Sequence, residues 1–111
     1  MYDVQDITNQ SYKKTMTTHL YKKEILETIH KFLPTVRIYL FGSRARKTQK
    51  EGSDIDLALD IGSSIELSTI LTIKEALSET TIPVFIDIVD IHAIPDYLKQ
   101  EILKEGIIWE N

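Results

Sequence analysis

The sequence contains no cysteine, which excludes disulfide frameworks, cysteine-held zinc and thiol chemistry. It has only four glycines and three prolines, too few for a low-complexity or collagen-like chain. Apolar runs are short, far below the ~20 residues of a membrane span. Residues 1–15 are polar and lack the apolar stretch of a secretory signal, so the expected address is the cytoplasm. What remains is an ordinary globular composition of 111 residues, 42% hydrophobic and 27% charged. That length suits one domain, 1–111, with one modest core.

The net charge of −4 hides an asymmetry. Residues 1–53 carry 10 basic and 5 acidic side chains, whereas residues 54–111 carry 3 basic and 12 acidic. Such a split implies either two partners or one site assembled from both halves.

The hydrophobic pattern predicts a small mixed sheet packed with helices, an α/β (α+β) fold. Residues 1–16 read as a loose N-terminal arm. A helix starts near Thr17 or Thr18 with Leu20, Ile25, Leu26, Ile29 and Phe32 as its apolar stripe. Residues 35–41 and 55–60 read as strands, with the polar loop 42–53 between them. Ser63 and Glu66 suggest a capping box for a second helix running to about Glu79. Its inner stripe is Ile70, Ile73, Ala76 and Leu77. The apolar run 84–89 predicts a central strand. Pro95 opens a last helix with Leu98, Ile102 and Leu103 inward, and 107–109 can add a short strand.

Chemistry concentrates in one stretch. Gly42-Ser43 ends a strand, and Asp54-Ile55-Asp56 follows ten residues later. Gly42 permits close backbone approach, and the free N–H groups of a turn together with the Ser43 hydroxyl can hold phosphate oxygens. Arg44, Arg46, Lys47 and Lys50 put positive charge on the same loop, and guanidinium matches phosphate bidentately. Asp54 and Asp56, two apart on a strand, leave one face with Cα atoms about 6.6 Å apart. Oxygen-only donors of this kind suit Mg²⁺, with Mn²⁺ as the second fit. Asp87 lies inside the apolar run Val84-Phe85-Ile86-Asp87-Ile88-Val89, where an ionised carboxylate needs compensation. Its alternatives are a cation shared with Asp54 and Asp56, or backbone N–H groups or a lysine. Asp60 and Asp90 fit a shared site less well, and His19, His30 and His92 have no metal-ligand spacing. Tyr39 and Trp109 read as packing residues.

The spacing Gly42-Ser43-x10-Asp54-x-Asp56, with Asp87 on a later strand, resembles the nucleotidyltransferase superfamily of the DNA polymerase beta type. Leu40-Phe41-Gly42-Ser43-Arg44-Ala45-Arg46 and Gly52-Ser53-Asp54-Ile55-Asp56-Leu57 are similar to its minimal nucleotidyltransferase branch. The resemblance implies that Gly42 and Ser43 hold a triphosphate, assisted by Arg44 and Arg46. It implies two Mg²⁺ ions on Asp54, Asp56 and Asp87, with Asp87 activating the attacking hydroxyl. Many members of that branch are antitoxins that transfer AMP from ATP to a tyrosine of a HEPN-type ribonuclease toxin. The expected partners are therefore such a toxin and a nucleoside triphosphate, with no membrane and no direct nucleic-acid contact; homo-oligomerisation also suits so small a core. Lys47 departs from the glycine frequent after Arg46 in this branch, and so bears on the loop's geometry. Two other readings stay open: a non-catalytic antitoxin that masks its partner stoichiometrically, and a transferase acting on a small molecule such as an aminoglycoside.

Overall fold

In the computed structural model, residues 21–48 and 53–110 are described. The expected arm 1–16, the caps Thr17 and Thr18, Leu20, and the loop tip 49–52 lie outside them. Helix α1 covers residues 21–30, and Ile25 and Ile29, one turn apart, are fully buried. Phe32 was expected in the same stripe. It is 39% exposed, because the helix ends at residue 30 and the turn that follows rotates it outward.

Strands β1 (Arg37–Phe41) and β2 (Ile55–Asp60) flank the polar loop. Helix α2 (Leu67–Ser78), strand β3 (Ile86–Asp90), helix α3 (Asp96–Glu105) and strand β4 (Ile107–Glu110) follow. The sheet order is β3-β2-β1-β4. β1 runs antiparallel to both β2 and β4, whereas β2 and β3 are parallel. Parallel neighbours need a crossover, and α2 supplies it, returning its C-terminal half to the end where β2 and β3 begin.

Alternation along the strands divides the interior into two clusters. On one face Ile38, Leu40, Ile55, Leu57, Ile86 and Ile88 pack with Ile25 and Ile29 of α1 and Ile70, Ile73 and Leu77 of α2. On the other, Tyr39, Ala58 and Val89 pack with Ile91 and with Leu98 and Ile102 of α3. Asp56 is in phase with Ala58, and Asp87 with Val89, so both carboxylates stand on the α3 side. Trp109 is buried at the margin of the first cluster, with the Lys22 ammonium 5.5 Å above its ring.

Three expectations need correction. β3 is an edge strand, not a central one. Its apolar run reflects cover on both faces, with Ile86 and Ile88 in one cluster and Val89 against the other; hydropathy records that cover and not the number of hydrogen-bonded neighbours. The capping box is also absent. Helix α2 begins at Leu67 with no side-chain cap on its N-terminus, because the preceding segment is tied elsewhere. Asp60 Oδ1 accepts the Gly62 N–H (2.8 Å), and buried Asp90 Oδ2 accepts the Ile65 N–H (2.7 Å). Leu103 of α3 is 48% exposed, so α3 buries the narrower stripe of Leu98 and Ile102. Among the described residues no helix is long and apolar enough to cross a membrane.

Candidate active site

The loop after β1 closes as a single helical turn. The Arg46 N–H donates to the Gly42 carbonyl (3.2 Å), Lys47 N–H to Arg44 (3.4 Å) and Thr48 N–H to Ser43 (2.9 Å). The last two bonds are the paired closure of a helix end whose terminal residue is left-handed. That residue is Lys47, at φ +57°. A position where glycine is the easy choice is thus held by lysine in the same conformation. Gly42 has a different constraint. Its φ is +73°, and a Cβ there would lie 2.5 Å from Asp56 Oδ2. The missing side chain makes room for a carboxylate of the chain itself, so loop and acidic motif fit each other directly.

The sheet register sets the acids. Phe41 is opposite Asp56 across β1 and β2, and Asp56 is opposite Asp87 across β2 and β3. Strand neighbours lie about 4.8 Å apart, so Asp56 and Asp87 form a side-by-side pair. Asp54 stands just ahead of β2 rather than within it, and is exposed. The adjacent lead-ins are joined by the Ile55 N–H to the Phe85 carbonyl (2.9 Å). Burial, then the neighbouring Asp87 and Asp54, push the Asp56 carboxyl above its ordinary pKa, against the opposing pull of Arg44 and Arg46. Among the described residues, however, no three His, Asp or Glu side chains stand close enough together to hold an ion. The donor set still fits a hard divalent cation: its atoms are all carboxylate oxygens, and its central member carries a like-charge strain that a cation would relieve.

The two arginines take different positions. Arg44 was expected to face phosphate but is only 5% exposed. Its Nε donates to the Ser53 and Asp54 carbonyls (3.1 and 3.2 Å), and its Nη2 to Ser53 (2.6 Å). It therefore fastens the loop's beginning to the residues just ahead of β2. Arg46 stays outside, 3.5 Å from Glu101 and 3.7 Å from Glu105 of α3, with all three side chains about half exposed. It borders a cleft of about 140 Å³ that Gly42, Phe41 and Leu98 also line. Exposed pairs of this kind contribute little, so Arg46 can exchange them for an anion. Ser43 is partly exposed beside it.

Sequence reasoning passed over Lys74. From α2 its Nζ comes within 3.8 Å of Asp87 Oδ1. Nothing in the pattern of α2 separates Lys74 from a solvated helix lysine, and only the return of the crossover brings it to the acids. The carboxylates ranked lower do hold the frame. Asp90 is buried and also accepts the His92 N–H (2.9 Å), while Asp60 lies 2.8 Å from His92 Nε2. Burial raises the Asp60 pKa, but the Gly62 N–H, the His92 ring and the Arg37 charge together outweigh it and leave the carboxyl below its ordinary value. His30 meets the Pro34 carbonyl through Nδ1 (3.1 Å); His19 lies outside the described residues.

The comparisons with known proteins agree with this fold. Residues 23–109 match the family model described as polymerase beta, nucleotidyltransferase. MJ0435 of Methanocaldococcus jannaschii, provisionally named a protein adenylyltransferase, is 35% identical over 71 residues, 64% of this chain and 75% of that protein. A crystal structure of a toxin-antitoxin with AMP-PNP superposes with a TM-score of 0.68 at 25% identity, over 79% of this chain and 71% of that one. A structure of a tri-AMPylated Shewanella oneidensis HEPN toxin in complex with its MNT antitoxin shares the fold. Its TM-score is 0.65 at 22% identity, over 83% and 71% of the two chains.

Proposed function

Because the chain belongs to the polymerase beta nucleotidyltransferase family, a family of group-transfer enzymes, we propose that it transfers AMP from ATP to a tyrosine of a HEPN-type toxin and acts as that toxin's antitoxin. The observation that carries this reading is the register of Asp56 and Asp87, side by side at the strand ends, with Gly42 shaped around the Asp56 carboxylate. The provisional name of the archaeal relative supports a protein acceptor, and the AMP-PNP in the toxin-antitoxin structure supports an adenine nucleotide.

In this account Gly42 and Ser43 present backbone N–H groups and a hydroxyl to the triphosphate, and Arg46 swings from Glu101 and Glu105 to a phosphate. Arg44 keeps the loop and the Asp54 backbone in place. Asp54, Asp56 and Asp87 are the residues that would hold Mg²⁺, which when bound supplies charge neutralisation at the transferring phosphate. Asp87, on the edge strand, accepts the proton of the incoming hydroxyl. The acceptor oxygen bonds to the α-phosphorus, the bond from that phosphorus to the β-phosphate oxygen breaks, and pyrophosphate leaves.

The test is a two-part assay on the purified partner, measuring complex formation and transfer of labelled AMP. The account expects the Asp54→Ala/Asp56→Ala double variant to bind the toxin but neither modify nor neutralise it. If that variant neutralises as well as the unaltered protein, stoichiometric masking is the correct function.

A further inference from the structure

Lys74 has no place in the spacing that identifies the acidic motif, yet it stands against it. Asp87 occupies the edge strand, with Asp56 beside it on the inner neighbour β2 and, among the described residues, no strand beyond it. Helix α2 packs on the opposite face of the sheet, through Ile70, Ile73 and Leu77. Lys74 lies outside that stripe, and its long stem reaches the edge strand, so its ammonium comes within 3.8 Å of Asp87 Oδ1. Both side chains are close to half exposed. The ion pairs of Arg46 run to Glu101 and Glu105 instead. Among the described residues, Asp87 is thus the acid of the set with a Lys or Arg nitrogen within 4 Å.

We propose that the Lys74 ammonium is the resident counter-charge of Asp87 and lowers the affinity of that carboxylate for a divalent cation. This rests on the reading of Asp54, Asp56 and Asp87 as metal-holding residues. An ammonium beside the carboxylate repels a divalent ion that approaches it and offsets part of the charge that attracts the ion, so the two compete. The competition is modest, because opposite charges about 4 Å apart in water attract only weakly. It does not require Lys74 to touch the nucleotide, and Lys74 is a positioning residue rather than a catalytic one.

The experiment is Mn²⁺ binding to the full chain without nucleotide, read by electron paramagnetic resonance of the free ion at low salt. Lys74→Gln is expected to tighten binding about fivefold, the size that such an exposed charge pair allows. Lys74→Arg should stay within about twofold of the unaltered protein, because a guanidinium preserves the pairing. Lys31→Gln, a change of equal charge at an exposed residue beyond α1, should leave affinity unchanged. Binding to Lys74→Gln at or below the original affinity overturns the proposal, as does equal tightening by Lys31→Gln. Asp56→Asn and Asp87→Asn separate the two levels of the argument. If they weaken Mn²⁺ binding while Lys74→Gln has no effect, the site stands and the Lys74 role falls. If they bind as the unaltered protein does, the metal lies elsewhere and both readings fall.

Discussion

Lys47 and Asp56 each carry a local cost that the site explains. Lys47 holds φ +57° at the end of the turn after β1, where a side chain costs about 1–2 kcal/mol relative to a right-handed conformation. Glycine removes that cost but gains entropy in the unfolded chain. Lys47→Gly should therefore stabilise the protein by up to about 1 kcal/mol, seen in urea denaturation as a higher midpoint with an unchanged slope. At Asp56, burial and the adjacent acids raise the pKa in the folded state. The folded protein then binds that proton more tightly than the unfolded chain does, so stability falls as pH rises from the ordinary carboxylate range through the raised value. The penalty is fully present above the raised value and absent once the group is protonated in both states. Without metal, Asp56→Asn should melt a few degrees higher at pH 7, with no gain at strongly acidic pH, while losing transfer activity. A lower melting temperature at pH 7 would contradict the idea that Asp56 is held under like-charge strain.

At the scale of elements, the connection between the loop and β2 decides how the acids are presented. Arg44 makes it with donors to two successive carbonyls, and a lysine at that position lacks the fork. Arg44→Lys should cost about 1–3 kcal/mol of stability and lower kcat more than it raises KM for ATP, in steady-state kinetics below the melting transition. A rise in KM alone would mean that Arg44 meets the nucleotide. Much of this level was legible in the sequence. β-branched and aromatic residues ending at Gly42 marked β1, and alternation over 55–60 marked β2 with its bounds. The spacing from Gly42 to Asp56 marked the candidate site. What pairs across strands was not legible, because it depends on topology: Asp56 meets Asp87 only because β3 runs parallel beside β2. The same holds for Arg44 and Lys74. Residue type announces their charge, but whether a guanidinium turns to a backbone carbonyl or a ligand depends on how the loop closes. The missing cap of α2 has a similar cause, since Asp90 reaches Ile65 from 25 positions away.

Over the whole molecule, the change of charge sign at position 54 coincides with the meeting of loop and sheet. Arg44 and Arg46 from the basic half stand close enough to oppose the raised pKa of Asp56 in the acidic half. Every candidate group sits at one end of the sheet, where β1 finishes and β2 and β3 begin. The edge position of Asp87 leaves that end accessible to a protein acceptor carrying its hydroxyl. The most direct measurement is the intact mass of a purified HEPN-type partner after incubation with this protein, ATP and Mg²⁺. The account predicts mass increments of whole AMP units, placed on a tyrosine by fragmentation of the modified peptide and abolished by Asp56→Asn. An unmodified partner that is nonetheless neutralised would contradict it.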